Sequence, residues 1–312
     1  MSGFLHALQL LGTNATVVDH ASGKAHKLLD IVVGRPDGSE IIGSMPIFRT
    51  RYGARFRSYR KSLLSEVQAD SQAHAGQALA VLGALGVPLT YPIDVGDRST
   101  ETIDAIYRDM IANFCMKGEL YWDAEAIIRY GPPNRTWTNK FGEIFSFDDL
   151  AEELLSREYD NGSCGGTHRL RCLAILIDAH ARHSLVSKPI VADIVRHMAG
   201  TVEHLVTTQD PSGCWEIDWW YSLSSKRPAH GRATPTALGR LVATGHHVEW
   251  LLLLAAELRP SRDTLARAGS WLVSELQARV SDPTWVAENY CPVVHATRAV
   301  LLLGEASAEQ LE

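Results

Sequence analysis

Apolar residues recur at three- and four-residue steps through nine stretches of this 312-residue chain: 62–86, 100–117, 121–130, 147–158, 167–183, 189–208, 236–258, 262–280 and 291–303. A chain patterned this way over most of its length buries its core as packed helices. Asp148, Thr100 and Ser261 stand where helices should be capped or opened. Pro88, Pro132, Pro133, Pro211, Pro260 and Pro283 fall between the stretches, where a missing N–H costs least. The pattern predicts about ten helices in antiparallel succession, joined by short turns.

Residues 1–60 read differently. Ile31 to Gly34 and Ser39 to Gly43 flank a Pro-Asp-Gly turn and predict a short β-hairpin. The expected organisation is therefore an N-terminal segment with a hairpin (1–60) and a single helical domain (61–312). Helical hairpins in series form either an open solenoid or a closed α/α toroid. The toroid is the expected fold, because its inner helices are ringed by protein and should be apolar nearly all round. Cys172–Ile177 and Trp250–Ala256 are.

Four apolar stretches are led by a histidine: His74, His168, His246 and His295. Each lies near an expected helix start. If those starts converge, the imidazoles form a titratable mouth on an apolar core. His246 and Glu249 are three residues apart and share a helix face, while His247 points about 100° away. A carboxylate so placed orients an imidazole and raises its basicity. His295 and Arg298 share a face in the same way, and the arginine suits an anionic substrate group. His168 follows Cys164-Gly-Gly-Thr, where glycines permit close backbone approach and helix-start N–H groups attract anions. His74 has no clear partner in the sequence. Trp215, Asp218, Trp219 and Trp250 lie near the same expected mouth as candidate binding residues, with Trp122, Asp123, Glu125 and the segment 132–139, read as a loop over the funnel or an ordinary surface connection, as a further polar and aromatic patch.

Cys164 with His168 and Cys291 with His295 are Cys/His pairs at a spacing of four. A helix puts such a pair on one face, so Cys164, His168, Cys291 and His295 together offer a zinc site as an alternative to metal-free chemistry. Three of them with an open position would be a catalytic arrangement of the kind lanthionine cyclases build on a toroid.

Residues 209–215 (QDPSGCW) resemble the Q-x-x-x-G-x-W turn of the terpenoid cyclase and protein prenyltransferase toroids. Residues 244–250 (TGHHVEW) resemble the turn-helix signature of the N-acylglucosamine 2-epimerase group, and His295 with Arg298 resembles its C-terminal H-x-x-R element. A third histidine-led helix is matched loosely by His168. Both resemblances imply an α/α toroid. The second implies that His246 and His295 act as acid and base on a sugar carbon.

A net charge of −6 disfavours non-specific nucleic-acid binding. The run Arg49, Arg51, Arg55, Arg57, Arg60 and Lys61 reads as a solvated face. The longest apolar run, Trp250 to Ala256, is far short of a membrane span. Five cysteines on a long chain make no disulfide framework, and the first residues carry no basic region of a secretory signal; a cytoplasmic protein is expected. The expected function is an enzyme without a cofactor. It would act on a small carbohydrate-like or polar metabolite as an epimerase, isomerase, lyase or hydrolase. His246, Glu249, His295 and His168 would be catalytic; Arg298, His74, Trp215, Asp218, Trp219 and Trp250 would bind substrate. Alternatives are a zinc-dependent or isoprenoid-processing toroid, and a peptide- or protein-binding toroid without catalysis.

Overall fold

The computed structural model describes residues 2–35, 41, 45–57, 74–96, 99–131, 135–159, 164–223 and 234–308. The protein is mostly helical, with a few short antiparallel hairpins. Its internal contacts divide it into two compact units, Met1–Ser146 and Phe147–Glu312. The boundary expected near residue 60 lies inside the first.

The first unit opens with α1 (Ser2–Leu11), followed by β1 (Thr16–Val18), β2 (Ala25–Lys27) and α2 (Leu28–Val32). Next come β3 (Ile47–Arg49), β4 (Ala54–Phe56), α3 (Gln77–Ala84), β5 (Pro92–Asp94) and β6 (Thr100–Thr102). The unit ends with α4 (Ile103–Asn113), α5 (Leu120–Tyr130), β7 (Thr136–Thr138) and β8 (Ile144–Ser146). Among the described residues the strands pair only as neighbours, in registers such as Val17 opposite His26 and Trp137 opposite Phe145.

Three of the hairpin loops share a chemistry. Asp19, Thr50 and Asn139 each turn a side-chain oxygen onto backbone N–H groups two to four residues on. Near the end of each loop stands Gly23, Gly53 or Gly142 at positive φ. Three hairpins pass into a helix without a loop: β2 into α2, β6 into α4, and β8 into the first helix of the second unit. Each of those helices begins on a fully buried apolar residue, Leu28, Ile103 or Phe147.

Leu5, Leu8, Leu28, Phe56, Leu79, Leu82, Ile93, Ile103 and Trp122 belong to one apolar cluster of the first unit. Asp109, nearly fully buried, accepts from Thr50 Oγ1 and Arg55 Nε, both at 2.6 Å, and so ties the β3–β4 hairpin to α4.

Three sequence expectations need correcting here. Ile31 and Val32 belong to α2, not to a strand, because β1–β2 already supplies the hairpin that precedes it; most of the segment after Arg35 lies outside the described residues. Residues 100–102 extend as β6 opposite Pro92–Asp94, so Thr100 is no helix cap. Residues 136–138 are a strand rather than a loop. Of the stretch 62–86, residues 62–73 lie outside the described set, as do Pro132 and Pro133 and the basic residues Arg60 and Lys61.

The second unit contains α6 (Phe147–Ser156), α7 (Thr167–His183), α8 (Lys188–Thr208) and α9 (Ala237–Leu251). A 3-10 turn (Ala256–Leu258) precedes α10 (Arg262–Gln277), α11 (Pro283–Glu288) and α12 (Tyr290–Ala308). Ser261 caps α10 through its hydroxyl, as expected, and Asp148 in the first turn of α6 accepts from the N–H of Ser187 just before α8. Pro283 opens α11 instead of separating helices, which suits its fixed φ. The apolar periodicity runs on to residue 258, but α9 stops at Leu251, since the backbone extends at Ala255 (φ −59°, ψ 149°).

Helix α9 packs against α7 and α12. Gly245 makes the second contact possible: a Cβ there would lie 2.9 Å from the Ala296 nitrogen and 3.1 Å from its Cα. The two backbones touch with no side chain between them.

Near α7, the guanidinium of Arg169 lies 3.9 Å from the Tyr159 ring centre and donates to His197 Nε2 at 2.7 Å; the Tyr159 hydroxyl donates to the same nitrogen at 3.0 Å. Two donors on one nitrogen require the neutral imidazole. Burial, and then the adjacent Arg169 charge, bring His197 down to about 4. A folded-state pKa below the unfolded value near 6.5 contributes stability that is present above pH 6.5 and lost as pH falls towards 4. His197→Gln keeps an acceptor without titrating. Its thermal midpoint should fall less steeply than that of wild type between pH 6.5 and 4; equal slopes would show that His197 does not contribute.

Candidate active site

Three of the four histidines singled out in the sequence meet in the second unit. The ring centres of His246 and His295 are 3.9 Å apart, those of His168 and His246 5.1 Å, and those of His168 and His295 6.3 Å. All three are at least 95% buried. The Gly245–Ala296 contact sets the closest of these distances, because His246 and His295 are the residues flanking it.

His168 reaches the cluster from the first turn of α7. The preceding turn holds Cys164, Gly165 and Gly166 at φ of 52°, 67° and 76°, three left-handed residues in succession. A Cβ on Gly165 would stand 2.7 Å from the Ile217 carbonyl oxygen, and one on Gly166 3.0 Å from that of Tyr159. Trp219 Nε1 pins the turn by donating to the Gly165 carbonyl at 2.9 Å. His246 lies in the C-terminal half of α9 and not near its start, because Thr236, where the apolar stretch begins, caps that helix ten residues before it. His295 enters from the second turn of α12.

Glu249 organises the charges. It was expected to orient His246, but its two carboxylate oxygens accept from His295 Nδ1, each at 3.1 Å. His246 instead donates Nδ1–H to the Val242 carbonyl four residues back, at 2.8 Å, the acceptor its own helix offers. Arg298 lies 3.1 Å and Arg171 3.9 Å from the same carboxylate.

These partners separate the histidines. For His295, burial would lower the pKa, but the Glu249 carboxylate and the hydrogen bonds to Cys291 and Glu249 win and raise it to about 9. For Glu249, burial pushes upward and is overcome by His295, Arg298 and Arg171, which hold it well below the usual carboxylate range. His246 falls to about 3, through burial and then the charge of His295. His168 falls well below its ordinary value for the same reasons, with His246 contributing. Near neutral pH the cluster therefore holds one imidazolium and two neutral imidazoles. The Nδ1–H of His246 is committed to the backbone, so its Nε2 carries the lone pair. That atom is buried and has no hydrogen-bond partner.

The remaining expected residues divide between support and surface. Trp250 Nε1 donates to His247 Nδ1 at 2.9 Å, and His247 packs edge to face on Trp219 at 4.7 Å and Trp215 at 5.5 Å. His247 thus anchors an aromatic wall, a role that only its spacing of three from Trp250 hints at. Trp215 is core, its Nε1 bound to the Leu205 carbonyl; it and Trp219 edge a cleft of about 140 Å³ with Thr208, Glu216, Tyr221 and Ser222. Residues 209–215 staple helices together: Gln209 Nε2 donates to the carbonyls of Gly213 and Thr264, and the Trp215 N–H to Thr244 Oγ1. Asp218 is buried. Arg298 is partly exposed, its side chain at 21%. His74 belongs to the first unit, where it pairs with Glu119 at 2.5 Å and stacks on Trp122; burial and then Glu119 raise the neighbouring Asp123 to about 7. Of the four residues expected to share a metal, Cys164 and His168 meet His246, while Cys291 is hydrogen-bonded to His295.

No protein-family model, curated protein or solved structure matches this chain significantly. Among the described residues, no helix is long and apolar enough to cross a membrane.

Removing the Glu249 charge leaves the buried His295 and Arg171 and the partly exposed Arg298 facing one another without a counter-charge. Glu249→Ala should cost about 3–5 kcal/mol in denaturant unfolding, and Glu249→Gln less, since the amide oxygen can still accept from His295. A loss below about 1 kcal/mol for the alanine variant would mean that water screens the pair.

Proposed function

We propose that this protein is an enzyme whose histidine cluster in the second unit moves protons on a small polar metabolite, a carbohydrate or similar carbonyl compound. We propose further that α7 and α9 are inner helices of an α/α toroid with this cluster at its mouth. The burial of every residue from Thr167 to Leu176 in α7 and from Ala243 to Leu251 in α9, with the succession of helices from α6 to α12, favours that arrangement.

The observation that carries the reading is the pairing of opposite proton-transfer roles 3.9 Å apart. His295, held as the cation by Glu249, is a proton donor. His246 presents an unpartnered lone pair on Nε2 and is a proton acceptor. General acid–base catalysis needs this division between neighbouring groups. His168 adds a second neutral imidazole, and the partly exposed Arg298 suits an anionic or carbonyl oxygen of the substrate.

The spacing also selects among reactions. Rings 3.9 Å apart leave no room for a substrate carbon between them, so donor and acceptor address the same face of the substrate. That favours proton transfer between adjacent atoms of one face, as in a 1,2-isomerisation or an elimination, over inversion by two groups on opposite faces.

Such chemistry abstracts a proton from carbon and exchanges it with solvent. Incubation in D2O with a panel of aldoses, ketoses, N-acyl amino sugars and hydroxy acids, followed by proton NMR, should reveal deuterium entering one position of one compound class. His246→Asn and His295→Asn should each reduce that exchange about 100-fold or more, with the helical circular dichroism kept. Exchange that survives both substitutions, or its absence across the panel, would overturn the proposal.

A further inference from the structure

We infer that Cys164, His168 and His246 form a binding site for a single divalent metal ion, zinc by the chemistry of its ligands, with one coordination position left open. The inference deepens the reading of this cluster as the active centre and rests on it only for the use made of the ion, not for the binding itself; with the ion bound, the His246 lone pair is spent on it, and the proton-acceptor role passes from His246 to the water held at the open position.

The ligand atoms of these three side chains all lie within 4.8 Å of one another. Around a tetrahedral zinc with bonds of about 2.0–2.3 Å, ligand atoms stand about 3.3–3.8 Å apart. The trio is therefore within about 1.5 Å of closure, a distance that side-chain rotation covers. One thiolate and two imidazoles suit zinc better than magnesium or calcium, which take oxygen ligands.

A second observation is independent of the spacing. His246 is 97% buried, and its Nε2 has no hydrogen-bond partner. Its Nδ1–H is locked onto the Val242 carbonyl. A backbone acceptor on one ring nitrogen is the usual support for an imidazole that gives its other nitrogen to a metal. A buried lone pair without a donor is costly, and an ion removes that cost.

The turn before α7 fits the same purpose. Cys164 is a non-glycine residue in left-handed backbone, a strained state that is kept where its surroundings enforce it. Gly165 and Gly166 let the turn press against Ile217 and Tyr159, and the Trp219 indole holds it there. The result is a sulfur four residues before His168, beside the same cluster.

Three protein ligands with an open position characterise catalytic rather than structural zinc. On binding, the Cys164 thiol gives its proton to solvent as the sulfur–metal bond forms. The open position accepts a water or a substrate oxygen, next to the His295–Glu249 pair.

The full-length protein, purified without chelator, should carry about one zinc per chain by elemental mass spectrometry. After the zinc is removed, cobalt(II) should titrate to one equivalent and develop a sulfur-to-cobalt charge-transfer band. Cys164→Ser should abolish that band, while Cys115→Ser, in the first unit, keeps it. His246→Asn should weaken cobalt binding about tenfold or more at unchanged circular dichroism. A folded wild-type protein that gives no such band, or a band that persists in Cys164→Ser, would overturn the inference. Solvent exchange into substrate is read separately, so metal binding without exchange refutes the acid–base proposal alone, and exchange without metal binding refutes this one alone.

Discussion

The contact of Gly245 with Ala296 is the constraint from which the site follows. Two helices that touch backbone to backbone bring the residues on either side of the contact together as well, here His246 and His295. Had either position carried a larger side chain, α9 and α12 would stand further apart and the imidazoles would face a gap. Buried polar groups at so tight a crossing lose their water, and that loss is what makes each remaining hydrogen bond and ion pair decisive.

Within the cluster, identical side chains acquire different chemistry from their partners alone. His295 has a carboxylate at Nδ1 and is cationic; His246 has a peptide carbonyl at Nδ1 and is neutral. One glutamate thus assigns the charge state of its neighbourhood, holding His295, Arg298 and Arg171 around itself, while at His246 its upward pull is outweighed by burial and by the charge of His295. His247, Trp250, Trp219 and Trp215 form a linked layer beside the cluster, and the Trp219 indole braces the turn that carries Cys164.

Much of this was legible in the sequence, for reasons that are local. The apolar period gives α7 its bounds at Thr167 and His183, and the Ser261 cap needs only its own hydroxyl and an N–H three residues on. Spacings of three and four identify His168, His246, Glu249, His295 and Arg298 as candidates because a helix fixes which of its residues share a face. What local spacing does not determine is which residue on another helix is nearer. Glu249 and His246 share a face of α9, yet the carboxylate belongs to His295 of α12. The hairpins were missed for a related cause: strands of three residues, such as Thr100–Thr102, are too short for alternation to stand out against the helix that follows. The extended stretch at Ala255 likewise hides inside an unbroken apolar run, because the Leu and Ala residues there serve a turn as well as a helix.

Within the first unit, the two junctions where a strand becomes a helix without a linking residue have a consequence for how this chain can change length. An inserted residue between Lys27 and Leu28, or between Thr102 and Ile103, would turn the helix by about 100°. It would roll the buried leading residue out of the core. The same insertion at a hairpin tip, beside Gly23 or Gly142 where open space surrounds the backbone, displaces nothing. Growth and shrinkage of the chain are thereby channelled to the loop ends, and each strand–helix joint acts as a fixed gear that transmits the register of a three-residue ladder into the orientation of a whole helix.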